Sequence, residues 1–179
     1  MSDNKILIAT PKVNNHMFYK SVIYIHSDDT AGAAGVILNC PMDSEMANRF
    51  AQDLGWQYPE RILLGGPVDQ HLGYIIHSAD YVNNTSVRLN DDLRYTSGKS
   101  ILTDINRGTG PHQFVLVTGY CVWQPHQLQN EIDQGMWLVT DFDIDFFFQN
   151  LNREDGWESA INIAAKSATK KILATVDIK

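Results

Sequence analysis

The chain has 179 residues, enough for one domain that buries a core without staples, and 44% of them are hydrophobic. Fourteen Lys and Arg stand against twenty-one Asp and Glu, a formal net charge of −7 that repels nucleic-acid phosphates at long range. No apolar run approaches the ~18 residues that span a bilayer, and the start lacks the basic region of a secretory leader, so a cytoplasmic protein is expected.

Lys5 to Thr10 reads as a strand stopped by Pro11. Ser21 to His26 and Ala33 to Leu38 read as two more, the second after the small-residue turn Ala31-Gly32. Their near-continuous apolarity implies burial on both faces. Ser44 is placed to cap a helix to Leu54, where Met46, Phe50 and Leu54 recur every four residues and Gly55 ends the run. Gly73 to His77 forms a further strand, and Thr85 to Leu89 and Leu93 to Thr96 flank a hairpin loop at Asn90-Asp91-Asp92. Ser97 is placed to cap a helix that buries Ile101, Leu102 and Ile105, with Gly108 beyond its end. His112 to Gly119 is the clearest central strand. Pro125 suits the first turn of a helix on which Leu128 and Ile132 share a face, closed by Gly135 before a strand at Trp137 to Thr140. Asp141 or Asp143 caps a short helix carrying Phe146 to Phe148. The last helix runs from about Asp155 to Ser167, and Lys171 to Val176 reads as one more strand. Strands in runs with irregularly interspersed helices make an α+β pattern: residues 1–179 as a single domain, a mixed and mostly buried sheet with surrounding helices.

The most informative local feature is Gly65-Gly66-Pro67-Val68, between the apolar segments Arg61 to Leu64 and Leu72 to His77. Two glycines and a proline after a short apolar run make a tight corner, which either turns the chain or brings bare backbone against a ligand. Exposed amides at Gly65 and Gly66 would form a nest for an anion.

Several signatures are excluded by inspection. Gly65-Gly66 is not followed by Lys-Ser or Lys-Thr, so it is no P-loop, and neither G-x-G-x-x-G nor G-x-S-x-G occurs. Neither H-E-x-x-H nor paired cysteine spacing calls for zinc, and Asp141, Asp143 and Asp145 lack the Gly and Glu that a calcium loop needs. No metal or cofactor is expected. Among six histidines, His77 stands out because it ends a strand close to the glycine corner; a satisfied hydrogen-bonding role is the plainer reading. Cys121, after Gly119-Tyr120 at the end of the central strand, is a candidate thiolate, with inert packing as the plainer reading; Cys40 has less to recommend it. Tyr120, Trp123 and Trp137 suit a core or a pocket wall. Lys166, Lys170 and Lys171 are the nearest approach to a basic patch and suit a solvated helix end.

Four blocks in order carry a resemblance. They are Leu7 to Pro11 with Phe18 and Ser21 to Tyr24; Gly32 to Asn39 with Pro41; Gly65 to Val68 with Gly73 and His77; and Gly119-Tyr120, Trp123, Gln127-Leu128, Glu131-Ile132 and Trp137-Leu138. Together they resemble the AlgH/YqgE family of bacterial proteins. The resemblance implies one α+β domain with a mixed sheet. Family members are often labelled transcriptional regulators through a link with alginate control, and no agreed enzyme activity or catalytic residue comes with it. The expectation is a regulatory protein that binds a small ligand or a protein partner, acting on transcription indirectly. Its surface would form where Gly65, Gly66, Pro67, His77, Gly119, Tyr120, Cys121 and Trp123 converge. An enzyme or redox sensor using His77 or Cys121 is one alternative, and a direct DNA-binding regulator is another, disfavoured by the net charge.

Overall fold

The apolar segments pair into one curled sheet in the computed structural model, which describes residues 4–149 and 155–176. In chain order the elements are β1 (Lys5–Ala9), β2 (Val22–Asp29), β3 (Gly32–Ile37), α1 (Ser44–Leu54), β4 (Ile62–Leu64), β5 (Val68–Ser78), β6 (Ser86–Arg88), β7 (Leu93–Thr96), α2 (Lys99–Asn106), β8 (Phe114–Trp123), α3 (Gln127–Asp133), β9 (Trp137–Asp141), α4 (Ile144–Gln149) and α5 (Gly156–Val176). The strand order is β6-β7-β5-β8-β3-β2-β1-β9, with β4 placed separately against β8. The β4–β8 pair is parallel and the other described pairs are antiparallel, so the sheet is mixed and the fold is α+β, as expected.

Both faces of the sheet are covered, which is why its central strands are apolar at nearly every position. On one face, Ile6, Ile8, Tyr24, Val36, Ile76, Val115 and Val117 pack with Phe146 and Phe147 of α4 and Ala160 of α5. The opposite face holds two clusters. Leu7, Ile23, Ile25 and Ile37 pack with Leu128 of α3 and with Trp123 and Trp137. Ile62, Ile75 and Leu116 pack with Ala47 and Ala51 of α1 and with Ile101, Leu102 and Ile105 of α2.

Several local expectations shift. The cap of α1 is Asp43 rather than Ser44, because the Asp43 carboxylate accepts from the amides of both Glu45 and Met46. The α1 face turned inward is Ala47 and Ala51, whose small side chains permit close approach, and Met46 is 57% exposed. At α2 the cap position is Gly98, at φ 96, and the Ser97 carbonyl accepts from the Thr85 hydroxyl instead. Asp143 caps α4 by accepting from the Phe146 amide at 2.7 Å. The segment 171–176 is not a strand but continues α5, since no Gly or Pro interrupts the helix after Gly156. β8 also runs four residues past Gly119, to Trp123, so Gly119 is not a strand end.

Candidate functional site

The site begins with a backbone crossing. Leu116, Val117 and Thr118 of β8 pair with β4 on one edge and with β5 on the other. Only Gly65, Gly66 and Pro67 join β4 to β5, so this short connection passes directly over β8. Bare backbone is needed on both layers. A Cβ on Gly65 would lie 2.5 Å from the Gly119 carbonyl oxygen, one on Gly66 2.2 Å from the Tyr120 carbonyl carbon, and one on Gly119 2.5 Å from the Gly66 carbonyl oxygen. The corner is therefore filled by the protein's own chain and is not an exposed anion nest. Gly65 and Gly66 are buried, and the Gly65 amide donates to the Thr118 carbonyl at 2.8 Å. The Gly65 carbonyl accepts from the Ile37 amide at 2.9 Å and the Gly66 carbonyl from the Gln70 side chain at 3.1 Å.

Under the crossing, Gly119 takes φ 70, a left-handed conformation that suits glycine. The strand rotates there. Strict alternation would put Tyr120 beside Leu116 and Thr118; instead it joins Val115 and Val117 on the α4–α5 face, and Cys121 and Trp123 turn to the other. The facing strand β5 bulges as well: Val68 pairs with Tyr120, and the next pair is Gly73 with Thr118. Asp69, within that bulge, has φ 51 and its carboxylate accepts from the Tyr120 hydroxyl at 3.1 Å. That bond holds the Tyr120 proton more tightly than usual.

This rotation opens an apolar cleft of about 240 Å³ lined by His26, Ala34, Tyr74, Ile76, Leu89, Tyr95 and Tyr120. Tyr74 and Tyr95 stand edge to face, 5.9 Å between centroids and 70° between planes. The Tyr74 hydroxyl donates to the Gly119 carbonyl at 3.2 Å, and burial keeps that phenol protonated well beyond its ordinary range. The cleft is thus tied to the crossing by Tyr74 and Tyr120. A larger hollow of about 380 Å³ lies elsewhere, between the β2–β3 turn and the start of α3, with Asp28, Asp29, Gln124 and His126 in its wall.

Of the residues singled out by sequence, Gly65, Gly66, Pro67, Gly119, Tyr120 and Cys121 do meet at the crossing, and Tyr120 also lines the cleft. His77 does not join them. It pairs with Phe114 at the opposite end of β8 and is fully buried. Its Nδ1–H donates to the Ser78 carbonyl at 2.8 Å, since a carbonyl can only accept, and its Nε2 accepts from the Thr96 hydroxyl at 2.8 Å. Burial lowers its pKa against the opposing pull of the Ser78 carbonyl and Asp80. Cys121 lies within a strand rather than at a helix start; its buried thiol donates to the Gly65 carbonyl at 3.3 Å, and burial pushes its pKa up to about 12. Trp123 is spent on structure. Its indole N–H and that of Trp137 donate to the same Glu131 oxygen at 2.9 and 2.8 Å, while Gln127 donates to the other oxygen at 2.9 Å. This clamp fastens α3 to β8 and β9. The sequence reading missed His26, Ala34, Tyr74, Leu89 and Tyr95. The available signal was Tyr74-x-Ile76 with Tyr95, which become neighbours only through the Ile76–Tyr95 register.

A family model described as AlgH-like matches residues 6–167. The chain belongs to the AlgH-like family. A UPF0301 protein of Rickettsia akari is 36% identical over 88% of this chain and 86% of its own. One from Bradyrhizobium diazoefficiens is 36% identical over 82% and 74%. The solution structure of the AlgH protein from Pseudomonas aeruginosa superimposes with a TM-score of 0.69 at 27% identity, covering 88% of this chain and 85% of that one. The crystal structure of protein DIP2367 from Corynebacterium diphtheriae shares the fold, with a TM-score of 0.63 at 23% identity, covering 79% and 76%. In this AlgH-like chain, the last two of the four blocks that carried the resemblance build the crossing and the α3 clamp. Among the described residues, no helix is long and apolar enough to cross a membrane.

Proposed function

We propose that this AlgH-like protein is a binding protein that works without catalysis, taking a small ligand in the tyrosine-lined cleft beside the crossing. One observation carries the reading: an apolar hollow of about 240 Å³, walled by three tyrosines, is built on adjoining strands and braced by backbone crossing backbone. Such a hollow is preformed, so little ordering opposes binding. Any influence on transcription then passes through the ligand or a protein partner, in keeping with a chain of net charge −7. The alternative chemistry lacks reach. A general base must touch its substrate, and His77 has both ring nitrogens engaged inside the sheet. A nucleophilic or redox-active thiol must ionise, and Cys121 is held against that.

The test is a titration of isotope-labelled protein with a library of small ring compounds, read by amide and side-chain NMR shifts. Shifts should gather on Tyr74, Leu89, Tyr95 and Tyr120, and Ala34→Trp, which fills the cleft, should abolish them. Shifts that gather elsewhere, or that persist in the filled variant, would overturn the assignment.

A further inference from the structure

The lining of the cleft says what kind of ligand it suits. Tyr74 and Tyr95 line it as an edge-to-face pair with planes 70° apart, and Tyr120 adds a third ring. The face of an aromatic ring is negative and attracts a cation, most effectively where water is excluded. No Lys or Arg lines the cleft, and the other residues there besides His26 are Ala34, Ile76 and Leu89.

Hydrogen bonding narrows the choice further. Two of the tyrosine hydroxyls already donate, Tyr74 to the Gly119 carbonyl and Tyr120 to the Asp69 carboxylate. An anion entering the cleft would find those two donors spent. The Asp69 carboxylate also puts negative charge beside the Tyr120 end of the cleft, on a protein that is acidic overall. A primary ammonium needs acceptors for three N–H groups, which this apolar lining does not supply. A quaternary ammonium has no N–H and needs none, and its methyl groups suit aliphatic and aromatic walls alike.

We propose that the occupant of the cleft is an organic cation with an apolar body, a quaternary ammonium held among the rings of Tyr74, Tyr95 and Tyr120. This rests on the ligand-binding reading above. It adds that positive charge, rather than apolar bulk alone, selects the ligand.

A matched pair of probes isolates the charge. Choline and 3,3-dimethylbutan-1-ol have nearly the same shape and differ by a quaternary nitrogen in place of a quaternary carbon. Both are titrated into the full-length protein at constant ionic strength, with NMR shifts of the cleft residues read as affinity. Both should move the resonances of Tyr74, Tyr95 and Tyr120, with choline binding about three- to thirtyfold tighter. Tyr95→Phe should keep that gap and Tyr95→Leu should narrow it. Equal affinities in the parent protein would overturn the cation inference and leave the ligand-binding reading standing. No cleft shift with either probe would also overturn the inference, and the ring-compound library would then judge the broader reading by itself. The decisive ratio comes from the parent protein, so it does not depend on any variant folding.

Discussion

The two halves of β8 differ in how they treat polar groups. Around the first half, Phe114 to Thr118, every polar atom of His77 is paired: Ser78 takes one ring nitrogen, Thr96 meets the other, and Ser86 meets Thr96 at 2.7 Å. Around the second half, the crossing disturbs the alternation and leaves Tyr120 half-buried on the wall of an open cleft, where the Tyr74 hydroxyl reaches the Gly119 carbonyl. The His77 end is sealed and the Tyr120 end is accessible. A buried polar network that is complete stabilises and specifies a fold, but it has nothing left to offer a ligand. A ligand therefore finds its access where backbone geometry opens a hollow, not at the residue with the most reactive side chain.

The largest effect should come from removing the cause of the difference. Gly66→Ala puts a methyl 2.2 Å from the Tyr120 carbonyl carbon, against main chain that has no flexible end to yield. It should cost about 4 kcal/mol or more, read from denaturant midpoints. Gly55→Ala is the control, because Gly55 has φ 67 and its Cβ would meet nothing within 4 Å; about 1 kcal/mol is expected there. Equal costs at the two positions would remove the crossing as the reason for the glycines.

A smaller effect tests the far end of the second half. Glu131→Ala strips the shared acceptor from Trp123, Trp137 and Gln127 and should cost about 2–3 kcal/mol by the same measurement. Glu131→Gln should recover part of the loss. A neutral Glu131→Ala would mean that α3 is held by apolar packing alone.

The smallest effect tests the seal on the first half. Burial holds the pKa of folded His77 below its ordinary 6.5, so the unfolded chain takes up a proton first. Its contribution is complete above about pH 6.5 and is lost as pH falls through that value toward the folded pKa. Stability of the parent should drop faster than that of His77→Gln below this point, by up to about 1.4 kcal/mol per pH unit. Parallel pH profiles would show that His77 protonates without cost and is not sealed.

Much of the architecture was legible because it rests on local patterns. β1, β2 and β3 announce themselves as continuous apolar runs, and Asn90-Asp91-Asp92 as a turn, where the Asn90 side chain accepts from the Asp92 and Leu93 amides. The glycine corner was recognisable as a corner. That it crosses β8 was not, because its partners Gly119 and Tyr120 lie some fifty residues onward in the chain. The cleft was hidden for the same reason. Its tyrosines come from three strands and become neighbours only through register, and Tyr120 reaches the right face only because Gly119 breaks the alternation. At 171–176 the local sequence misled: Ile172, Leu173, Thr175 and Val176 have the composition of a strand, yet an uninterrupted helix carries through them.

The crossing also sets an order of assembly. β3, β4 and β5 all leave the ribosome before the strand that each of them borders, and β8 must then take its place beneath a connection already made. A nascent chain ending short of Phe114 leaves β3, β4 and β5 without β8 and β1 without β9, a state that invites association with other chains. Synthesis of one late ten-residue segment thus covers three of these edges at once and joins the two halves of the sheet in a single step.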